Sequence, residues 1–149
     1  MKSLGKALVS SVLIWQVKRL LKKANPKVIT ISGSVGKTTT KLSIAGVLRQ
    51  YFRVQMQDGN YNDIVTVPLV FFGEANPPRL TNPLSWLKIF WRNEKALTKD
   101  YPFDIVLLEL GTDGPGQIKK FGKFLNPDIG VLTSITPEHM EFFKDLKAI

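Results

Sequence analysis

"TISGSVGKTTTK", Thr30 to Lys41, is the stretch on which the fold turns. Gly33 and Gly36 frame a short loop, Lys37 follows, and Thr38, Thr39 and Thr40 come next. Before the loop, Lys27 to Ser32 is a β-branched run that reads as a strand. After it, Lys37 to Phe52 has helical spacing, with Leu42, Ala45, Val47 and Leu48 apolar. In that order, backbone N–H groups can wrap an anion while the helix N-terminus adds partial positive charge. Glycine lets the backbone approach phosphates closely. Lys37 can reach the terminal phosphates of a nucleotide, and the Thr38 hydroxyl can sit on a magnesium ion. The commoner phosphate loop has four residues between its first glycine and Gly-Lys. Ile31 stands at that glycine's place, so the match is the shorter Gly33-Ser34-Val35-Gly36-Lys37-Thr38. The bland alternative is a Gly-Ser turn with an incidental Gly-Lys-Thr, and the strand–loop–helix context weighs against it.

Outward from the loop, punctuation and period predict the rest. Arg53 to Gln57 reads as a strand and "DGNYND" (58–63) as a loop. Val67 to Phe72 reads as a helix, "GEANPPRLTNP" (73–83) as a proline-rich loop, and Leu84 to Leu97 as an amphipathic helix carrying Trp86, Leu87, Phe90 and Trp91. "FDIVLLEL" (103–110) is a strand buried on both faces. "GTDGPG" (111–116) is a turn, Gln117 to Leu125 a helix, "DIGVLTSI" (128–135) a strand, and Pro137 to Ala148 a further helix. The expected fold class is α/β: a phosphate-loop, mostly parallel sheet with helices on both faces, truncated, with an extra N-terminal helix.

Alternation puts Ile105, Leu107 and Glu109 on one face of their strand. A carboxylate ending an apolar strand is costly to bury unless it meets a cation, and magnesium beside a nucleotide is one. The alternative is a Glu109 at the solvent edge. His139 is the only histidine, and a lone histidine is more often an ordinary residue than a ligand. Ligands of open parallel sheets bind beyond the carboxyl ends of the strands. The phosphate loop, the loop of Asn60 and Asn62, Glu109 and His139 each follow an expected strand, so all four are expected on one edge of the sheet.

The 149 residues suit one domain, and with no cysteine there is no disulfide framework or cysteine metal site. The net charge of +9 favours anionic partners, or simply a solvated basic face. The N-terminal "LGKALVSSVLIWQVKRLLKK" (4–23) is too short in its apolar centre to span a bilayer. It reads as a basic, apolar helix over residues 1–25. Either it docks on the body of the protein, or residues 4–23 lie in a membrane interface or continue a membrane segment outside these residues. Asn25-Pro26 ends it.

Five blocks together resemble the central, ATP-binding domain of the Mur ligase family. They are "ITISGSVGKTTTK", "DGNYNDIVTVPL", "FDIVLLELGTDGPGQI", "NPDIGVLTSI" and "PEHMEFF". The resemblance covers residues 26–149 and implies an ATP-dependent amide-bond ligase of peptidoglycan precursor synthesis. ATP phosphorylates a carboxylate, and an amine attacks the acyl phosphate. By the family's pattern, Gly33, Ser34, Val35, Gly36, Lys37, Thr38 and Thr39 bind ATP, with Asn60 and Asn62 on the nucleotide and substrate side. Thr38, Glu109 and His139 bind Mg2+, and Lys37, Glu109 and His139 form the catalytic set. The serine of the loop, the lysine after the threonines and the "GNYN" block point to the branch that adds a dipeptide.

The departures are Asp63, Thr66 at a place usually held by glycine, and Gln117 at a place usually acidic. The resemblance also implies that a UDP-muramoyl-peptide and an amino acid or dipeptide are held by domains outside these residues. The chain is then a fragment, incomplete at its C-terminus and inactive alone, working in the cytoplasm. A partition-type ATPase carries a similar Val-Gly-Lys-Thr-Thr, but has an extra lysine near the loop's start that Ser32-Gly33-Ser34 lacks. A non-catalytic nucleotide-binding module is the third reading. Nucleic acid is not an expected partner, because no aromatic-basic strand motif is present.

Overall fold

The computed structural model describes residues 3–57, 63–77, 81–111 and 116–136. Its elements, in chain order, are α1 (Ser3–Ala24), β1 (Lys27–Ser32), α2 (Lys37–Leu48), β2 (Val54–Met56), α3 (Thr66–Val70), α4 (Pro83–Leu97), β3 (Ile105–Glu109), α5 (Gln117–Phe121) and β4 (Ile129–Leu132). The four strands form one parallel sheet in the order β2-β3-β1-β4. All five residues of β3 are buried, which is why its sequence is a continuous apolar run rather than an alternation.

Each face of the sheet has its own core. On one side Ile29, Ile31, Ile105 and Leu107 pack against Ala45 of α2, with Ile44 and Leu48 beside them. On the other, Val28, Val106 and Leu108 pack against Val17 and Leu20 of α1, Val67 and Val70 of α3, and Phe121 of α5. Leu13, Leu69, Trp86 and Ile89 extend this second layer between α1, α3 and α4.

The first helix docks on the body. Leu13 and Val17 are fully buried, and so is Gln16. The Gln16 amide donates to the Phe90 carbonyl (3.0 Å) and to Glu94 Oε1 (3.0 Å), and its oxygen accepts from Asn93 Nδ2 (2.9 Å). Leu8 and Trp15 face outward, with Arg19 over the Trp15 ring and paired with Glu94. Among the described residues no helix is long and apolar enough to cross a membrane.

Two helix ends fall short of expectation. The helix after the phosphate loop ends at Leu48, and residues 49–52 turn; the helix beginning at Gln117 stops at Phe121, with Phe124 and Leu125 packing from the turn that follows. In α2, Leu42 and Val47 face outward while Lys41 turns inward. The cause is long-range, since the partner of Lys41 is Glu109 on β3. The segment expected to be a helix from Pro137 lies outside the described residues.

The two departures at Asp63 and Thr66 explain each other. Asp63 Oδ1 accepts from the amides of Val65 and Thr66 (both 2.8 Å), and Thr66 Oγ1 accepts from the Asp63 amide (3.1 Å). This reciprocal arrangement satisfies donors that the start of a helix leaves open. Burial pushes the Asp63 carboxyl up, but the amides of Thr66 and Val65 together with Lys6 outweigh it and hold it below the usual range.

Candidate functional site

The parallel register sets the site. Ile31 pairs with Glu109 and Ser32 with Leu132, so the carboxyl ends of β3, β1 and β4 lie side by side. The chain leaves β1 toward the β2 side and leaves β3 toward the β4 side. The crevice where these directions diverge lies between β1 and β3, the position at which open parallel sheets take ligands. The loop Gly33–Gly36 stands over one lip of it and Glu109 forms the other. An open cavity of about 300 Å³ is lined by residues 34–39 and Glu109.

The loop is built tightly on the β4 side. Gly33 has φ +132°, and an added Cβ would lie 2.2 Å from Thr133 Oγ1. Gly36 has φ +85° and caps α2, with open space around it. The Ser34 amide donates to the Ser134 carbonyl (2.6 Å), and the Ser34 hydroxyl donates to the Thr136 carbonyl (3.1 Å) and accepts from the Thr136 amide (3.0 Å). Ser34 therefore anchors the loop, and its amide and hydroxyl are committed to the chain after β4. Lys37 Nζ arches back over the loop and donates to the carbonyls of Gly33 (2.6 Å) and Ser34 (2.8 Å).

Across the crevice, Thr38 Oγ1 donates to the Glu109 carboxylate, 3.2 Å from Oε1 and 3.0 Å from Oε2. Lys41 Nζ lies 3.4 Å from Glu109 Oε2, with its side chain 2% exposed. The Glu109 backbone is held by a side chain: its amide donates to Gln57 Oε1 (2.8 Å) and its carbonyl accepts from Gln57 Nε2 (3.0 Å).

The structure thus brings Gly33, Ser34, Val35, Gly36, Lys37, Thr38, Thr39 and Glu109 to one place. Asn60, Asn62 and His139 lie outside the described residues. Thr38 and Glu109 could hold a magnesium ion. A hydroxyl and a carboxylate are hard oxygen donors, and magnesium commonly takes one or two carboxylates and completes its shell with phosphate and water. The loop could hold the phosphates themselves, because it opens onto the N-terminus of a twelve-residue helix.

Sequence reading missed Lys41 and Gln57. The signal for Lys41 was its spacing with Ile44, Ala45 and Leu48, which marks the inward face of α2. Gln57 left none, since its role appears only once β2 is laid beside β3.

These features define a phosphate-loop α/β domain. The profile of the Mur ligase middle domain matches residues 31–149, and the chain belongs to that family. It is 30% identical over 124 residues to the UDP-N-acetylmuramoyl-tripeptide–D-alanyl-D-alanine ligase of Bacillus subtilis, covering 83% of this chain and 22% of that protein. It is 32% identical over 113 residues to the enzyme of the same name from Synechocystis, covering 76% of this chain and 19% of the relative. Among solved structures, the MurF ligase of Thermotoga maritima in complex with ADP superposes with a TM-score of 0.67 at 25% identity, over 93% of this chain and 27% of that one. The chain spans about a quarter or less of the length of these relatives.

Proposed function

We propose that the chain is the nucleotide-binding part of an ATP-dependent amide-bond ligase of peptidoglycan precursor synthesis, of the branch that joins a D-alanyl-D-alanine dipeptide to a UDP-muramoyl-tripeptide. The observation that carries this is the meeting of the Thr38 hydroxyl and the Glu109 carboxylate at 3.0 Å, beside the lysine-bearing loop. The names of the relatives and the ADP complex of the Thermotoga ligase support it.

The chemistry explains the residues. A carboxylate is a poor acyl donor, so it must acquire a better leaving group. Transfer of the terminal phosphoryl group of ATP to it gives an acyl phosphate. Attack by an amine then forms the amide and releases inorganic phosphate. Both reactants of the first step are anions, so charge neutralisation and positioning dominate the barrier.

Lys37 would exchange the Gly33 and Ser34 carbonyls for the terminal phosphate. The loop amides not committed to β4 would line the remaining phosphate oxygens. Thr38 and Glu109 would hold Mg2+, which supplies Lewis-acid stabilisation of the phosphate charge. By the family's pattern His139 would join a second metal position, and Asn60 and Asn62 would line the nucleotide and substrate side. The UDP-sugar and the amine substrate would be held by other parts of a longer ligase, in the cytoplasm where ATP is available.

The test is magnesium-dependent ATP binding by the purified chain, measured by calorimetry for wild type and Lys37→Ala. A loss of about tenfold or more in affinity is expected, the worth of a charge-assisted contact to phosphate. Equal affinity in the variant would overturn the loop assignment.

A further inference from the structure

Glu109 faces two groups of α2. Thr38 and Lys41 are three residues apart on that helix, so hydroxyl and ammonium project from one face and reach the same carboxylate. Lys37 does not share this task in the described structure, since its ammonium is bonded to the Gly33 and Ser34 carbonyls. Lys41 is thus a buried cation at ion-pair distance from the carboxylate that the proposed metal would use.

We propose that Lys41 is the resident counter-ion of Glu109 and makes the site refuse a bare divalent cation, so that metal enters only together with the phosphates of a nucleotide. This rests on the reading of Thr38 and Glu109 as metal ligands.

The reasoning is electrostatic. Without nucleotide, the Lys41–Glu109 pair is neutral and buried, and the side chain of Glu109 is 11% exposed. Bare Mg2+ at Thr38 and Glu109 would bring a second and a third positive charge against one carboxylate, in a place where water screens poorly. A triphosphate or diphosphate adds several negative charges on the open side, and the same metal then sits between phosphate and carboxylate. Lys41 is a positioning residue: it holds Glu109 in place for the incoming metal and touches neither nucleotide nor substrate.

The experiment uses Mn2+ as the probe, with bound metal read by electron paramagnetic resonance and by the melting temperature. Wild type, Lys41→Met and Lys41→Arg are compared, with and without ADP. Wild type is expected to take up Mn2+ only with ADP. Lys41→Met is expected to bind Mn2+ without nucleotide about tenfold tighter than wild type, as removal of a close like charge implies, and to gain thermal stability on adding Mn2+ alone. Lys41→Arg keeps the wild-type refusal. Adding Glu109→Gln to Lys41→Met abolishes the gain.

If Lys41→Met binds bare Mn2+ no better than wild type while Mn2+ and ADP still bind together, the role of Lys41 is wrong and the site reading stands. If wild type does not bind Mn2+ with ADP, the site reading itself fails and takes the Lys41 role with it. Should Lys41→Met not fold, Lys41→Gln serves in its place. Tight uptake of bare Mn2+ by wild type overturns the inference by itself.

Discussion

Replacing Gly33 with alanine probes the geometry of the loop without touching a charge. The added Cβ would lie 2.2 Å from Thr133 Oγ1 and 2.9 Å from the Ser134 carbonyl oxygen, at φ +132°. Overpacking of a tight site costs about 1–3 kcal/mol. A side chain on backbone that only glycine adopts readily costs about 1–3 kcal/mol more. The expected destabilisation is therefore about 3 kcal/mol, a large share of the about 5–15 kcal/mol that holds a domain together.

With a urea dependence of about 2 kcal/mol/M, the unfolding midpoint should fall by about 1.5 M, read by circular dichroism. Thr133→Ala in the Gly33→Ala background removes the nearest atom but leaves the carbonyl and the backbone strain, so it should recover about 1 kcal/mol and no more. Gly36→Ala is the control: at φ +85° with nothing within 4 Å, it should cost only the backbone part, about 1–2 kcal/mol. A Gly33→Ala midpoint within about 0.3 M of wild type, or equal losses for the two glycines, would refute the account of the loop as clamped onto the chain after β4.

Three further outcomes are expected. Gln16→Leu strips the Phe90 carbonyl and the Asn93 amide of a partner in a fully buried place, and should cost about 2–3 kcal/mol by urea unfolding. Asp63→Ala removes the acceptor for the Val65 and Thr66 amides and should cost about 1 kcal/mol in the same assay. The side-chain hydrogen bonds from Arg53 hold the Asp104 carboxyl at about 2, against an ordinary 3.8. A depressed value means that its stabilising contribution is present above the ordinary value and is lost as pH falls through about 2. Carboxyl NMR titration of Asp104 should return the low value, and Asp104→Asn should flatten that part of the acid limb; a titration near 3.8 would rule the pairing out.

The strands were the most legible part of the chain. β1 spans the expected residues, and β3 was read as buried on both faces because five apolar or terminal positions in a row leave no polar face to solvate. Helix ends were less legible. Nothing local in "LRQYF" says that the helix stops at Leu48, because that end is set by the turn that aligns Arg53 with Asp104 at the foot of β3. The docking of α1 was an open choice in the sequence. Its apolar residues could face lipid or protein, and the face that packs on the body is anchored where Gln16 meets Asn93 and Glu94, residues 77 and 78 positions away.

In the candidate site, the loop and Glu109 were legible because glycine spacing and a carboxylate closing an apolar strand are local signals. Lys41 was not, because a lysine on a helix reads as solvated until the register of β3 against β1 brings a carboxylate beneath it. Asn60, Asn62 and His139 rest on their places after expected strands and on the resemblance.

The position of Glu109 is fixed by the core rather than by any ligand. β2 ends at Met56, opposite Leu107 and two residues short of the carboxylate. There the Gln57 side chain takes over the ladder, accepting from the Glu109 amide and donating to its carbonyl as a neighbouring strand would. On the other side, Ile31 of β1 pairs with Glu109 and accepts from the Leu110 amide (2.8 Å). The backbone at residue 109 is thus held from both flanks before a cation is considered. Thr38 and Lys41 then fix the carboxylate from above. A carboxylate held in this way need not reorganise when phosphate charge arrives, and such preorganisation is what a site for phosphoryl transfer requires. The short second strand, the glutamine that prolongs it and the buried lysine are therefore one device, and the phosphate loop is only its more visible half.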